Sequence, residues 1–172
     1  MIIRTATALY AGTGTRFVAR TGTGHEVVLD DDPGDTGARP VEMLLVGQAG
    51  CTGFDVIGSL REQGQVVTRY EVTVTAEQRA DPQPAIYTRA VVLHDVEGPA
   101  IDEAVLRRAI YVSATKYSSV TAMLSAGTVE IRHRYRIVGP GGAHAIEAEV
   151  LMTGPHADPD ALGQPQESGA AN

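Results

Sequence analysis

Apolar and small polar residues alternate from Ile2 to Leu9, and two further short strand-like runs, Arg16 to Arg20 and Glu26 to Leu29, follow it, with Gly12-Thr13-Gly14 and Gly22-Thr23-Gly24 between the runs. Period-two segments separated by glycine turns predict a meander of three short strands. No helix start follows either Gly-Thr-Gly, so neither is read as a phosphate-cradling loop. Asp30 to Arg39 is acidic and rich in Gly and Pro, and predicts a solvated loop. Its three consecutive aspartates lack the spacing of a calcium-binding EF-hand.

The pattern then changes. Pro40 to Glu62 predicts a helix, with Pro40 in a first turn that needs no N–H there. Met43, Leu44, Leu45, Val46, Ala49, Phe54, Val56, Ile57 and Leu60 fall on all its sides. A helix of that kind is expected to be buried on most sides, which in a small domain requires a sheet on one side and another subunit on the other. Gly64 ends it as a C-terminal cap. Val66–Arg79 and Ile86–Val96 alternate as the arms of a long hairpin around Asp81–Pro84. Asp102 opens a second helix running to about Lys116, with further helical turns from Tyr117 to Ser125. Val129–Val138 is a strand, and His144–Met152 returns beside it after Gly139-Pro140-Gly141-Gly142.

Strands and helices are segregated, so the class is α+β with antiparallel sheet. The expected organisation is one domain over 1–138, an extra hairpin strand within 139–153, and a disordered tail over 154–172, where the composition is too polar to repay ordering.

Composition narrows the function. The chain has 172 residues, 43% of them apolar, enough for one real core. The formal net charge of −7 and scattered arginines argue against nucleic-acid binding. Arg132, Arg134 and Arg136 share one face of a strand, as a solvated face or a small anion site. The N-terminus lacks the pattern of a signal peptide, and no uninterrupted apolar run approaches the roughly 18 residues of a membrane span. A cytoplasmic protein without membrane contact is expected. His25, His94, His133, His144 and His156 lie on separate elements without metal-ligand spacing, so neither metal nor cofactor is expected, and each is read as a surface or satisfied residue. No serine nucleophile elbow is present. There is one cysteine, Cys51, which excludes an internal disulfide and fits a reducing compartment. A lone cysteine is by default a small buried hydrophobe.

Three segments lift Cys51 above that default. They are Pro40-Val41-Glu42-Met43-Leu44-Leu45 leading to Cys51-Thr52-Gly53-Phe54-Asp55-Val56; Ala76-Glu77-Gln78-Arg79-Ala80-Asp81-Pro82 at the hairpin tip; and Ala109-Ile110 followed by Thr115-Lys116-Tyr117-Ser118-Ser119-Val120. In order and spacing they resemble the OsmC family, which includes the organic hydroperoxide resistance proteins, over roughly residues 1–138. The resemblance implies antiparallel sheets wrapped around two central helices in an intertwined homodimer with shared active sites. It also implies thiol-dependent reduction of a small organic hydroperoxide by a peroxidatic cysteine at position 51. The family's second redox cysteine corresponds to Ser118, and a hydroxyl cannot close a disulfide. A reaction at Cys51 would therefore use an external thiol reductant. The alternative is a non-redox dimer of this fold that binds an apolar small molecule between its helices.

A peroxide-reactive thiol must reach the thiolate, and apolar burial favours the protonated form. Cys51 lies too far along its helix to gain from the N-terminal dipole, so a cation is needed. The resemblance implies an Arg held by a Glu from the start of this helix. Glu42 matches that Glu, although it also reads simply as a first-turn acid. Nine residues at ~1.5 Å rise put it about 13 Å from the Cys51 of its own helix, so it could serve only the thiol of a partner helix crossing antiparallel. Arg16, Arg20 and Arg39 are the candidate cations, with Arg16 and Arg39 favoured. Asp55, one turn after Cys51 on the same face, is unusual in an apolar helix and calls for a partner.

Overall fold

The computed structural model describes residues 1–139 and 145–155. His144, His156, most of the 139–142 turn and nearly all of the expected tail lie outside these. The chain divides into two compact units, residues 1–46 and residues from Gly47 onward.

The first unit holds an antiparallel meander of β1 (Ala6–Tyr10), β2 (Phe17–Thr21) and β3 (Glu26–Leu29). Tyr10 pairs with Phe17, which pairs in turn with Leu29. The β2–β3 turn closes through Gly24 N–H donating to Thr21 C=O at 2.9 Å, and Gly24 takes a φ of +89° that a side chain would strain. The following loop differs from expectation in one respect. Asp30 is buried rather than solvated, because its carboxylate is the loop's internal acceptor. Asp30 accepts from the Asp31 N–H at 2.9 Å, the Thr36 N–H at 3.2 Å and the Thr15 hydroxyl at 3.3 Å, as well as from the Thr36 hydroxyl. The Thr36 hydroxyl, more than any other of these donors, holds its pKa below the ordinary carboxylate value.

Helix α1 (Glu42–Glu62) begins in the first unit and runs through the second. It ends on Gly64, at φ +70°, with Gln65 N–H donating to Leu60 C=O at 2.9 Å. Its length and mean hydropathy of 1.3 are those of a membrane span, but a polar seam along it is engaged by the chain's own side chains, described below. Only Gln48, Thr52, Val56 and Leu60 are fully buried, a single i, i+4 stripe, while Leu44, Val46 and Phe54 are exposed. One chain covers only one side of this helix.

The second unit is built on a four-stranded sheet in the order β4 (Arg69–Gln78), β5 (Tyr87–Glu97), β6 (Glu130–Val138), β7 (Ala145–Thr153). Between β5 and β6 come α2 (Glu103–Val112), a π-helical turn (Ser113–Tyr117) and α3 (Ser119–Ser125). The class is α+β, with one correction to strand direction: β5 and β6 pair in parallel, Val92 opposite His133 and His94 opposite Tyr135. A helical crossover between neighbouring strands permits this, whereas a short turn would not. Asp102 starts α2 by accepting from the N–H groups of Ala104 (2.8 Å) and Val105 (3.2 Å). Tyr135, fully buried, ties α2 to the sheet by donating its hydroxyl to Glu103 and receiving Arg107 at 3.4 Å. The core joins Val56, Leu60, Val96, Leu106 and Ile110 around it.

On the outer face, Arg132 reaches Glu149 at 3.2 Å and Arg136 pairs with Asp95, while Arg134 is exposed. This is the solvated face read from the sequence, with carboxylates already paired to the guanidinium groups of Arg132 and Arg136.

His94 and His133 depart from the reading of surface or satisfied residues. Both are fully buried, on adjacent strands and the same face of the sheet. Tyr70 lies 2.6 Å from His94 Nδ1. Burial, and then the charge of Asp55, hold the Tyr70 hydroxyl protonated far above its usual range. It donates to His94, which places the ring's one proton on Nε2. His94 Nε2 and His133 Nδ1 are buried without hydrogen-bond partners among the described residues. Burial, and then repulsion from His133, lower the His94 pKa from 6.5 to about 3; burial lowers that of His133 to about 4. Between pH 6.5 and those values the unfolded chain binds protons that the folded chain refuses. Stability from these neutral rings is full above pH 6.5 and falls as the pH drops toward 4. The expected slope is about 1 kcal/mol per pH unit for each histidine. Urea unfolding at a series of pH values from 7 to 5 tests this, and His133→Gln should remove about half of the acid-dependent loss.

Candidate active site

Four side chains of α1 fall within about 100° of its circumference: Gln48, Cys51, Thr52 and Asp55. Cys51 is half-buried and its thiol is free. The other three are held by the segment that joins α2 to α3. Gln48, fully buried, donates its Nε2 to Thr121 Oγ1 at 2.8 Å, and the Thr121 hydroxyl donates to Ser118 Oγ at 2.9 Å. On the other side of Cys51, the Ser113 hydroxyl donates to Asp55 Oδ2 at 2.9 Å. Its single hydrogen is thereby used, so the Thr52 hydroxyl, 3.0 Å away, donates to Ser113. The two chains run in defined directions, Gln48 to Thr121 to Ser118 and Thr52 to Ser113 to Asp55.

The π-helical turn explains how both serines reach α1. In an α-helix, residues five apart point about 140° away from each other. Here the Ser118 N–H donates to Ser113 C=O at 2.8 Å, an i→i+5 bond that stacks the two positions on one side. Ser118 is also the N-cap of α3, accepting from the Thr121 N–H at 3.3 Å. The hydroxyl at the position of the expected second cysteine is thus occupied by a cap.

Of the other predicted residues, the structure brings Arg39 and Glu42 together. Glu42 accepts from the Arg39 N–H at 3.0 Å and from its guanidinium at 3.2 Å, closing the start of α1 in the manner of a capping box. Arg39 also pairs with Asp32, and these carboxylates, Asp32 first, raise its pKa further. Arg16 is not part of that pair. Its Nε is buried without a partner among the described residues, beside a cavity of about 380 Å³ that it lines with Thr13, Thr15, Asp30 and Thr36. Arg20 pairs with Glu26 on the strand surface.

A second cavity, of about 540 Å³, lies in the second unit, lined by Phe54, Asp55, Arg108, Ser113 and Tyr117 among others. It begins one helical turn from Cys51. Among the described residues no three His, Cys, Asp or Glu side chains are grouped to hold a metal ion. Sequence reasoning passed over Gln48, Thr52, Ser113 and Thr121. Gln48 and Thr52 continue the i, i+4 series of Val56 and Leu60, a signal that could have marked them as inward-facing.

Known proteins carry the same fold. Protein YhfA of Escherichia coli K12 is 34% identical over 125 residues, which cover 73% of this chain and 92% of YhfA. The structure of the OsmC-like protein of Mycoplasma pneumoniae matches with a TM-score of 0.68 at 14% identity, covering 80% of this chain and 98% of that one. An organic hydroperoxide resistance protein, OsmC, of Legionella pneumophila matches with a TM-score of 0.56 at 12% identity, covering 81% and 98%. The family model described as OsmC-like protein matches residues 32–134. With that match over more than half its length and with its identity to YhfA, the chain belongs to the OsmC-like family.

Proposed function

We propose that the protein reduces organic hydroperoxides through Cys51 with an external thiol as reductant. The observation that carries this reading is the placement of the one thiol, half-buried and between two hydrogen-bonded clamps on α1. Hydroperoxide resistance proteins, among them that of Legionella pneumophila, share the fold. In this reaction the sulfur attacks the distal peroxide oxygen, the O–O bond breaks, and a sulfenic acid and an alcohol form. A first external thiol converts the sulfenic acid to a mixed disulfide with release of water. A second releases Cys51 and leaves the reductant oxidised.

The functional unit in this reading is a cytoplasmic homodimer with shared sites. Leu44, Val46 and Phe54 are 47%, 57% and 80% exposed on α1, and β1 is exposed along its length, apolar surface that a second copy would cover. The Arg39–Glu42 pair of one copy would then serve the Cys51 of the other, which the helix rise denies to its own chain.

Three outcomes follow. Reduced wild type consumes cumene hydroperoxide with dithiothreitol as reductant and Cys51→Ser does not; equal consumption by both would end the peroxidase reading. Co-refolding equal amounts of Cys51→Ser and Glu42→Gln should restore about a quarter of wild-type turnover, because half of the dimers are mixed and each mixed dimer has one intact site. Ser118→Cys, treated with peroxide, should lose both free thiols by mass spectrometry while losing about 1 kcal/mol of stability with the α3 cap.

A further inference from the structure

A thiol that attacks a peroxide must lose a proton, and the alkoxide that leaves must gain one. The Asp55 carboxylate lies on the turn after Cys51, on the same face of α1. Oδ2 is fixed by the Ser113 hydroxyl at 2.9 Å, and Oδ1 carries no hydrogen bond among the described residues. Asp55 lines the 540 Å³ cavity with Glu62 of its own helix and Arg108 and Tyr117 from the facing segment, and Tyr70 of β4 lies within reach of its charge; Asp55 makes no ion pair with any of them among the described residues. Side chains at i and i+4 on a helix stand about 6 Å apart at Cβ, which leaves room for the two oxygens of a peroxide between sulfur and carboxylate. On the other side of the thiol, Gln48 is fully buried and its Oε1 has no partner among the described residues.

We propose that Asp55 is the proton carrier of the thiol reaction, an inference that rests on the peroxidase reading above. The Cys51 thiol proton passes to Asp55 Oδ1 as the sulfur lone pair attacks the distal oxygen. The S–O bond forms, the O–O bond breaks, and Asp55 returns the proton to the departing alkoxide. Cys51 is oxidised by two electrons to the sulfenic acid, the peroxide is reduced to the alcohol, and Asp55 ends as it began. Ser113 is the positioning residue: it holds Oδ2 so that Oδ1 faces the reacting atoms, and Thr52 orients Ser113 in turn.

The test is the pH profile of kcat/KM for cumene hydroperoxide, with dithiothreitol as reductant, for wild type, Asp55→Asn and Ser113→Ala. Asparagine keeps the acceptor for Ser113 and cannot carry the proton. Asp55→Asn should lose about 100-fold or more near pH 6, within the span of general acid–base contributions, and the loss should shrink about tenfold per pH unit as hydroxide takes over. Ser113→Ala should lose less and keep the wild-type profile. The wild type itself should be nearly flat from about pH 6 to 8. A wild-type rate that climbs tenfold per pH unit there overturns the proposal even if no variant folds, as does an Asp55→Asn profile parallel to wild type. Absence of any Cys51-dependent turnover is a separate result that removes the peroxidase reading and this inference with it.

Discussion

The arrangement around Cys51 depends on one backbone irregularity, the i→i+5 turn from Ser113 to Ser118. In a regular helix these two hydroxyls would point about 140° apart. With the extra residue in the turn, Ser113 binds Asp55 while Ser118 sits at the end of the chain from Gln48, and the two contacts straddle the thiol. Each hydrogen bond is worth about 1 kcal/mol net, too little to hold a helix by itself. Their weight lies in what a break would leave behind, since Gln48, Thr52, Ser113, Ser118 and Thr121 are all buried and each would lose a partner that water does not replace. The polar half of the α1 stripe therefore fixes its register against α2 and α3, and the apolar half, Val56 and Leu60, supplies the area.

The sheet beneath the helix makes the opposite compromise. Apolar residues fill its inner face except at His94 and His133, which burial keeps neutral. Tyr70 connects the two regions: its hydroxyl is spent on His94, and the charge of Asp55 adds to the burial that keeps that proton in place. Val72 and the Tyr70 ring lie 3.4 and 4.0 Å from where a side chain at Gly53 would begin, ordinary contact distances that put this turn of α1 against β4. Charge on the thiol-bearing helix and neutrality in the sheet are thus neighbouring conditions within one unit.

Much of this was legible in the sequence. The period-two runs, the helix from Pro40 and its stop at Gly64, and the Asp102 cap were recoverable because each depends on local geometry. The parallel pairing of β5 with β6 was not, because strand direction is decided by where α2 and α3 return the chain, a long-range property. The capping of α1 by Glu42 follows from local chemistry, and so does the ion pair with Arg39. The seam was hidden for a different reason: serine and threonine fit turns, caps and exposed faces equally well, and only tertiary contact selects Ser113 and Thr121. The histidines were hidden by type rather than by pattern. His94 is in phase with Val92 and Val96, and His133 with Ile131 and Tyr135, so periodicity placed them inside while residue identity argued for the surface.

In the peroxidase reading, Ser118 stands where the family resemblance implies a second redox cysteine, and what it supplies there is a helix cap. A thiol at this site would be a poor acceptor for the Thr121 N–H, and the α3 cap would weaken. A hydroxyl strengthens the cap and aligns Thr121 to receive Gln48, but it cannot accept a sulfenic acid's sulfur. In that reading the gain is structural and the loss is confined to the second half-reaction. The first half-reaction calls on the thiol, a cation that favours its thiolate, a route for its proton and space for the peroxide, and on no group at position 118. In that reading, a serine at 118 passes the resolving step to an external thiol and leaves the attacking step to Cys51.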